Sequence, residues 1–329
     1  MNKHLIITLN IFISLLGSCN SDGQSPLRTV KDIPMPGGAN RFDYQSIDPA
    51  KRRLYISHMN SNAVVVFDLD KQQVIANIEN ISRPTGILAV PELGKVYASA
   101  SHANEVVVID EQSLKIIHRI PSGDFPDGIA YEPGSKRIYV SNERGKQVTV
   151  IDAQTDKVIT NIEMGGEVGN THYDPVSKKI FSAVQTRNQL ICINPVNNQI
   201  INRFDLKGCK EPHGFYIDAA THYALITGED KGQFIVFDLT TDKIIYSDKV
   251  GADPDVLAYD VVLHRLYVSS ESGIISVFSI KRNDIKKISE GFAAKHAHTI
   301  SVDPQTHLIY LPLENEKSKP VLQIMAVNP

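Results

Sequence analysis

The segment Arg137-Ile-Tyr-Val-Ser141 decides the fold, because short β-rich segments of this kind recur at a fixed spacing. Its central aromatic residue has counterparts 42 to 44 residues apart along the chain. The seven positions are Tyr55, Tyr97, Tyr139, Phe181, Leu225, Tyr267 and Tyr310. A constant period of this length is typical of a repeat architecture, in which each unit is one supersecondary structure.

The unit around Tyr139 is predicted to contain four short strands. Asp127-Gly-Ile-Ala-Tyr131 and Arg137–Ser141 are separated by a turn that contains Pro133. Val148-Thr-Val-Ile151 and Val158-Ile-Thr-Asn-Ile162 follow, both rich in β-branched residues. No stretch has the sustained i, i+3, i+4 apolar spacing of a helix. Seven units of four antiparallel strands predict an all-β, seven-bladed β-propeller.

The last repeat, from about residue 298, supplies only three strands. These are predicted at residues 299–302, 308–311 and 321–325. The N-terminal segment Thr29-Val-Lys-Asp-Ile-Pro-Met35 is similar to the fourth-strand segment Ile159-Thr-Asn-Ile-Glu-Met164. We therefore expect residues 29–35 to pair with 321–325, which closes the ring and leaves no exposed sheet edge there.

The repeated sequence motif resembles that of a known family. Arg137-Ile-Tyr-Val-Ser-Asn142, Val148-Thr-Val-Ile-Asp152 and Asp156-Lys-Val-Ile159 closely resemble the YVTN-repeat β-propellers, the YncE-like proteins of bacteria. The resemblance covers residues 29–326 and implies a seven-bladed propeller that is exported. The Trp-Asp signature of WD-repeat propellers is missing, since the chain contains no Trp. The motif is specific for the fold and says little about function.

The N-terminus has the pattern of a secretory signal. Lys3 and His4 precede an apolar run, which ends in Leu16-Gly-Ser-Cys19. This resembles a bacterial lipoprotein signal, which implies a signal peptide over residues 1–18, lipid on Cys19 and a tether over 19–28. The alternative is an ordinary cleaved signal with an incidental Cys. Either way we expect a cell-envelope location, with the lipoprotein reading placing the chain on the periplasmic or surface side of a membrane.

Composition restricts the partners. A chain of 329 residues often has two domains, but the unbroken repeat predicts a single domain over residues 29–329. The net charge is −3, and basic residues are scattered without an aromatic platform, so we expect no nucleic-acid partner. We expect a monomer attached to the membrane through lipid, with a small ligand or an envelope protein as partner.

Candidate functional residues lie at the start of each innermost strand, where the blade-to-blade connections reach the upper mouth of the central channel. The seven aligned positions are Asp43, Thr85, Asp127, Gly169, His213, Asp255 and His298. Flanking and outer-loop candidates are Asn170, His172, His296, His58, His102, Gln185, Glu229 and Glu314. Repeat symmetry predicts that the mouth residues converge, and we expect ligand or metal binding at Asp43, Asp127, His213, Asp255, His296 and His298.

The segment Lys295-His-Ala-His298 is the sharpest local signal. Residues two apart in a strand point to the same side, so both imidazoles are expected to ligate one divalent metal if His213 or Asp255 is near. The alternative is two polar residues at a strand start that bond to backbone and water.

Three functions are compatible with this sequence. The first is a binding module of the cell envelope with its ligand or partner at the channel mouth. The second is a metal-dependent hydrolase or lyase that resembles propeller lactonases, with a His general base or a metal-activated water at the mouth. The third is a subunit resembling quinoprotein dehydrogenases. Short catalytic motifs such as Gly-x-Ser-x-Gly and His-Glu-x-x-His do not occur in the sequence, and no cofactor-binding residue can be assigned.

Overall fold

Each repeat forms one four-stranded antiparallel sheet in the computed structural model, which describes residues 25–316 and 318–328. The innermost strands are β2 (Gln45–Asp48), β6 (Pro84–Val90), β10 (Pro126–Glu132), β14 (Val168–Asp174), β18 (Pro212–Asp218), β22 (Pro254–Asp260) and β26 (Ser301–Val302). The second strands are β3 (Arg53–His58), β7 (Lys95–Ala100), β11 (Arg137–Asn142), β15 (Lys179–Val184), β19 (Tyr223–Gly228), β23 (Arg265–Ser270) and β27 (Ile309–Glu316). The third strands are β4 (Ala63–Asp68), β8 (Glu105–Asp110), β12 (Gln147–Asp152), β16 (Gln189–Asn194), β20 (Gln233–Asp238), β24 (Ile274–Lys281) and β28 (Lys319–Val327). The outermost strands are β5 (Gln73–Glu79), β9 (Lys115–Pro121), β13 (Lys157–Glu163), β17 (Gln199–Asp205), β21 (Lys243–Lys249), β25 (Asp284–Phe292) and β1 (Leu27–Pro34).

The predicted seven-bladed propeller is confirmed. In the third blade the four observed strands differ from the predicted bounds by a single residue at most ends. Three short 3-10 turns interrupt the loops, at Met59–Ser61, Pro91–Leu93 and Gln185–Arg187. Within the described residues no helix is long and apolar enough to span a membrane.

Closure of the ring by the N-terminal strand is also confirmed. β1 pairs with β28 from Leu27 opposite Val327 to Pro34 opposite Val321, and so supplies the fourth strand of the seventh blade. The pairing begins at Leu27, inside the stretch assigned to the tether. The expected signal peptide over 1–18 and Cys19 lie outside the described residues.

The two faces of the ring carry different loops. The lower face carries the hairpins that join the first to the second strand and the third to the fourth strand of each blade. The upper face carries the blade-to-blade connections and the loops between second and third strands. Chain direction therefore places the start of every innermost strand at the upper mouth of the central channel.

The repeated aromatic residues form the core between blades. Tyr55, Tyr97, Tyr139 and Tyr310 are fully buried, and Tyr310 packs with Phe42 and other residues of the first and seventh blades. Burial of one such side chain stabilises the fold by roughly 1.5–3 kcal/mol. Contacts of this kind couple neighbouring blades.

Hydrogen bonds between acidic and basic side chains on the lower face also join neighbouring blades. The acid at or just after the end of an innermost strand accepts a hydrogen bond from a basic residue in the first hairpin of the next blade. The three pairs are Asp303 with Arg52 at 2.6 Å, Asp174 with His222 at 2.8 Å, and Asp260 with His307 at 2.7 Å. The pair between Asp303 and Arg52 spans the junction of the seventh and first blades.

Candidate functional site

The ionisable residues predicted at the mouth are delivered there by the blade-to-blade connections. Each is almost fully buried, with exposures of 5% for Asp43, 3% for Asp127, 7% for His213, 8% for Asp255 and 1% for His298. Asp43, Asp127, His213 and Asp255 line one cavity of about 290 Å³ at the upper end of the channel. The structure therefore brings together four residues that come from four different blades.

Tyr44 separates this cavity from the channel below. Its hydroxyl lies 2.8 Å from His213 Nε2, and Asn170 Nδ2 donates to it at 2.9 Å. Burial, together with the carboxyl groups of Asp127 and Asp255, raises the pKa of Tyr44 well above its usual range, so the phenol stays protonated. Below Tyr44 the channel continues as a second cavity of about 280 Å³, with an apolar lining.

Three of the six equivalent positions in the other blades are glycines, Gly86, Gly128 and Gly214. A Cβ on Gly86 would lie 1.9 Å from the backbone oxygen of Asp127, and a Cβ on Gly214 would lie 2.2 Å from that of Asp255. Adjacent innermost strands approach too closely at these two glycines for a side chain. The single aromatic ring at this repeat position, Tyr44, can therefore reach across the channel.

His213 is the most connected group of the cavity. Its Nε2 contacts the Tyr44 hydroxyl and lies 3.4 Å from Asp255 Oδ1. Its Nδ1 contacts the side-chain amide of Gln185 and lies 3.7 Å from Glu229 Oε1. Burial opposes protonation of the ring, but nearby carboxylates, Glu229 and Asp255 foremost, outweigh it and raise the pKa of His213 to about 9. The ring is an imidazolium at neutral pH.

Four carboxyl groups of the mouth have raised pKa values, and burial is the largest cause in each case. Burial and the charges of Asp127 and Asp255 raise the pKa of Asp43 well above its usual range. Burial raises the pKa of Asp127 to about 7, and it shifts those of Glu143 and Glu229 upward. The cavity is lined by these four carboxyl groups, by the carboxyl group of Asp255 and by three basic residues, Arg41, Arg83 and His213. A bound cation would offset the mutual repulsion of the carboxylates.

The expectation that His296 and His298 share one side of a strand is wrong. The chain there is a turn, His296 is exposed with a φ of 57°, and β26 begins only at Ser301. The buried ring of His298 instead has both nitrogens against backbone oxygens, Nε2 at 3.0 Å from that of Phe42 and Nδ1 at 3.1 Å from that of His296. His298 thus fastens the last blade to the segment before β2.

Metal-ligand geometry occurs in two places among the described residues. Ligand atoms of Asp43, Asp255 and His298 form one group, and those of His213, Glu229 and Asp255 form the other, each within 4.8 Å of one another. In the first group a metal would have to displace a backbone contact of His298. In the second group a metal would have to displace a side-chain contact of His213, with Tyr44 or with Gln185, and Asp255 Oδ2 lies 3.5 Å from Arg41.

The remaining candidates divide between the cavity and other places. Gln185 and Glu229 reach the cavity, and Asn170 holds Tyr44. His58 stacks on Phe42 with ring centroids 4.0 Å apart, and burial lowers its pKa to about 4. The other three lie outside the cavity, with His172 in the lower channel, His102 on an upper-face loop and Glu314 within β27.

Sequence reasoning missed five ionisable residues of the mouth: Arg41, Tyr44, Arg83, Glu143 and Glu271. Arg41 and Tyr44 flank Asp43, and Arg41 donates to Glu271 and lies 3.5 Å from Asp255 Oδ2. Glu143 and Glu271 follow second strands, at the same repeat position as Gln185 and Glu229. Alignment of that position would have found both glutamates.

Comparison with protein families supports the resemblance seen in the repeat. Residues 44–174 match the family model of the YNCE-like beta-propeller. This match bears out the resemblance to YncE-like propellers over that part of the chain. A search of curated proteins found no match.

Solved structures share the fold at low sequence identity. A chain of Kuenenia stuttgartiensis hydrazine synthase superposes with a TM-score of 0.74 at 14% identity, covering 89% of this chain and 97% of that one. A chain of the mitotic checkpoint complex gives 0.77 at 10% identity, covering 100% and 99%. Selenomethionine-substituted virginiamycin B lyase from Staphylococcus aureus gives 0.75 at 13% identity, covering 90% and 99%. At these identities the likeness concerns the fold alone.

Proposed function

We propose that the protein is an exported, lipid-anchored binding module of the cell envelope whose upper channel mouth binds a divalent metal ion. One observation carries the proposal for the mouth. Ligand atoms of His213, Glu229 and Asp255 lie within 4.8 Å of one another, and His213 and Asp255 are buried. The excess of carboxyl groups over basic residues in the same cavity makes a cation the favoured occupant.

The donor set indicates which ion fits. One imidazole and two carboxylates suit first-row transition ions such as Mn²⁺ or Zn²⁺. His213 must lose a proton before it can ligate, and the metal would replace its contact with Tyr44 or with Gln185. Since the pKa of His213 is about 9, metal binding should release a proton, and affinity should rise with pH up to that value.

Calorimetric titration with Mn²⁺ and Zn²⁺ tests the proposal. Glu229→Gln removes a ligand, whereas the matched control Glu143→Gln removes a half-buried carboxylate of the same cavity that lies outside the group. We expect Glu229→Gln to lower affinity by more than about tenfold and Glu143→Gln to lower it less. Titrations in two buffers of different ionisation enthalpy should reveal proton release at pH 7. Absence of binding by the wild type, or equal losses in both variants, would contradict the proposal.

A metal-dependent hydrolase or lyase is the second candidate. The observation that favours it is the 2.8 Å contact between the Tyr44 hydroxyl and His213 Nε2, a pair that can hold or pass a proton beside the metal group. The lactonase-like alternative indicated by the sequence makes simple lactones the first substrates to try. Turnover by the metal-loaded wild type that is lost in Tyr44→Phe would support this reading. If none of the tested substrates is turned over, binding remains the proposed function.

A further inference from the structure

The described chain begins on the lower face, next to the sixth blade. β1 runs from the lower to the upper face, and Asn328 N donates to the Pro26 oxygen at 3.1 Å beside the start of β1. Ser25 and Pro26 line one cavity together with Arg265, the first residue of β23. The described chain therefore begins beside Arg265, the residue that follows the first hairpin of the sixth blade.

That hairpin has an exposed apolar tip. Val261, Val262 and Leu263 are 47%, 59% and 38% exposed. The corresponding hairpin of the fourth blade exposes Val176, and that of the fifth blade exposes Ala219 and Ala220. Single exposed apolar residues are ordinary, but three consecutive ones beside apolar tips on adjacent blades form a patch.

The patch is confined to this sector of the lower face. The same hairpin carries Lys51 and Arg52 in the first blade, Ser135 and Lys136 in the third, and Gln305 and Thr306 in the seventh, whereas that of the second blade places the exposed charge of Glu92 between Pro91 and a half-buried Leu93. The apolar tips thus form a continuous sector that runs from the sixth blade, beside which the described chain begins, through the fifth to the fourth. An exposed lysine, Lys178, follows Val176 and can face anionic headgroups.

We propose that the hairpin tips of the fourth, fifth and sixth blades lie in the membrane interface, so that the upper mouth points away from the membrane. This inference rests on the lipid anchor at Cys19 proposed above. An extended chain spans at most about 3.6 Å per residue, so residues 19–26 hold the lower face within about 25 Å of the bilayer. At that distance the apolar tips can enter the headgroup boundary, where amphipathic surfaces sit about 5–10 Å deep.

The absence of Trp from the sequence makes a direct test available. Val262→Trp places a single fluorophore in the patch, and Ala103→Trp places one on an exposed upper-face loop as a matched control. Each full-length, lipid-modified protein is reconstituted in vesicles of phosphatidylcholine and phosphatidylglycerol, with and without brominated acyl chains. We expect a blue-shifted emission that brominated lipid quenches for Trp at 262, and no lipid quenching for Trp at 103.

Each other outcome overturns the proposal. If the wild type does not sediment with vesicles, the anchor fails and this orientation fails with it. If the protein sediments but the 262 reporter is not quenched, the orientation alone is wrong and the anchor stands. A blue shift at 262 that appears without vesicles and grows with protein concentration would mean that the patch contacts another copy of the chain. Metal titration of the same samples tests the upper mouth independently of the lower face. Val176→Trp repeats the fluorescence test at the hairpin tip of the fourth blade.

Discussion

Replacing Arg52 by methionine should weaken the junction between the first and seventh blades. Arg52 donates to both carboxylate oxygens of Asp303, at 2.8 and 2.6 Å, and the Asp303 side chain is fully buried. Without the guanidinium, the buried carboxylate keeps only the Thr306 hydroxyl at 2.7 Å and the Gln305 backbone N–H at 3.2 Å.

The expected loss of stability follows from the interactions that the Asp303 carboxylate keeps in the variant. Removal of one partner from a buried ion pair costs about 3–5 kcal/mol, and the two remaining donors favour the lower end, about 3 kcal/mol. Arg52 also pairs with Asp70, but that carboxylate is 65% exposed and contributes under about 1 kcal/mol. Burial opposes ionisation of Asp303, yet Arg52 and Thr306 outweigh it and hold its pKa below the usual range. The stabilisation is therefore present at neutral pH and is lost as the pH falls through that lowered pKa.

Denaturant unfolding at pH 7 and at pH 3 measures both the size and the pH dependence. Lys136→Met is the matched control, because Lys136 occupies the same turn position with φ of 52° against 53° for Arg52. The residue of the second blade that corresponds to Asp303 is Val90, so no buried acid loses a partner when Lys136 is replaced. We expect a loss of about 3 kcal/mol for Arg52→Met at pH 7, a smaller loss at pH 3, and little change for Lys136→Met. Equal effects of the two substitutions at pH 7 would refute the reasoning.

Three further outcomes are expected. A chain shortened to begin at Met35 lacks β1 and exposes the edge of β28, so its unfolding midpoint should fall and it should self-associate; an unchanged midpoint in denaturant would contradict ring closure by β1. The imidazole of His213 should titrate near pH 9 by nuclear magnetic resonance, and Glu229→Gln should lower that pKa because Glu229 is the leading charge that raises it; a midpoint near 6.5 in both proteins would contradict this. Cys19→Ala should abolish uptake of labelled fatty acid and membrane partitioning, and unaltered partitioning together with an unlabelled wild type would exclude the anchor.

Much of the fold could be predicted because each blade is encoded locally. The strand and turn residues around Tyr139 repeat the same pattern seven times, and strand bounds in that unit were placed nearly to the residue. The prediction was poorest in the last blade, where the strand expected at 308–311 extends over Ile309–Glu316, and the innermost strand, expected at 299–302, forms only at Ser301–Val302. The turn at His296 precedes this strand, and a positive φ there is not visible in a pattern of apolar residues.

The candidate site could also be predicted only in part. Repeat alignment alone indicated that Asp43, Asp127, His213 and Asp255 converge, because equivalent positions in a closed ring must face the same channel. The alignment carries no information on how far a neighbouring side chain reaches, so Tyr44 was not foreseen as the group that divides the channel.

The sequence by itself determined the number of blades, the closing strand and the ring of mouth residues, since these depend on short-range strand and turn chemistry repeated at a constant period. Only the tertiary structure decided which ionisable groups interact and in which protonation state. The pKa of His213 depends on burial and on carboxylates such as Glu229 and Asp255 from other parts of the chain. Coulombic interactions act over a few ångströms through space, whatever the separation in sequence, and so they become defined only when the ring has closed.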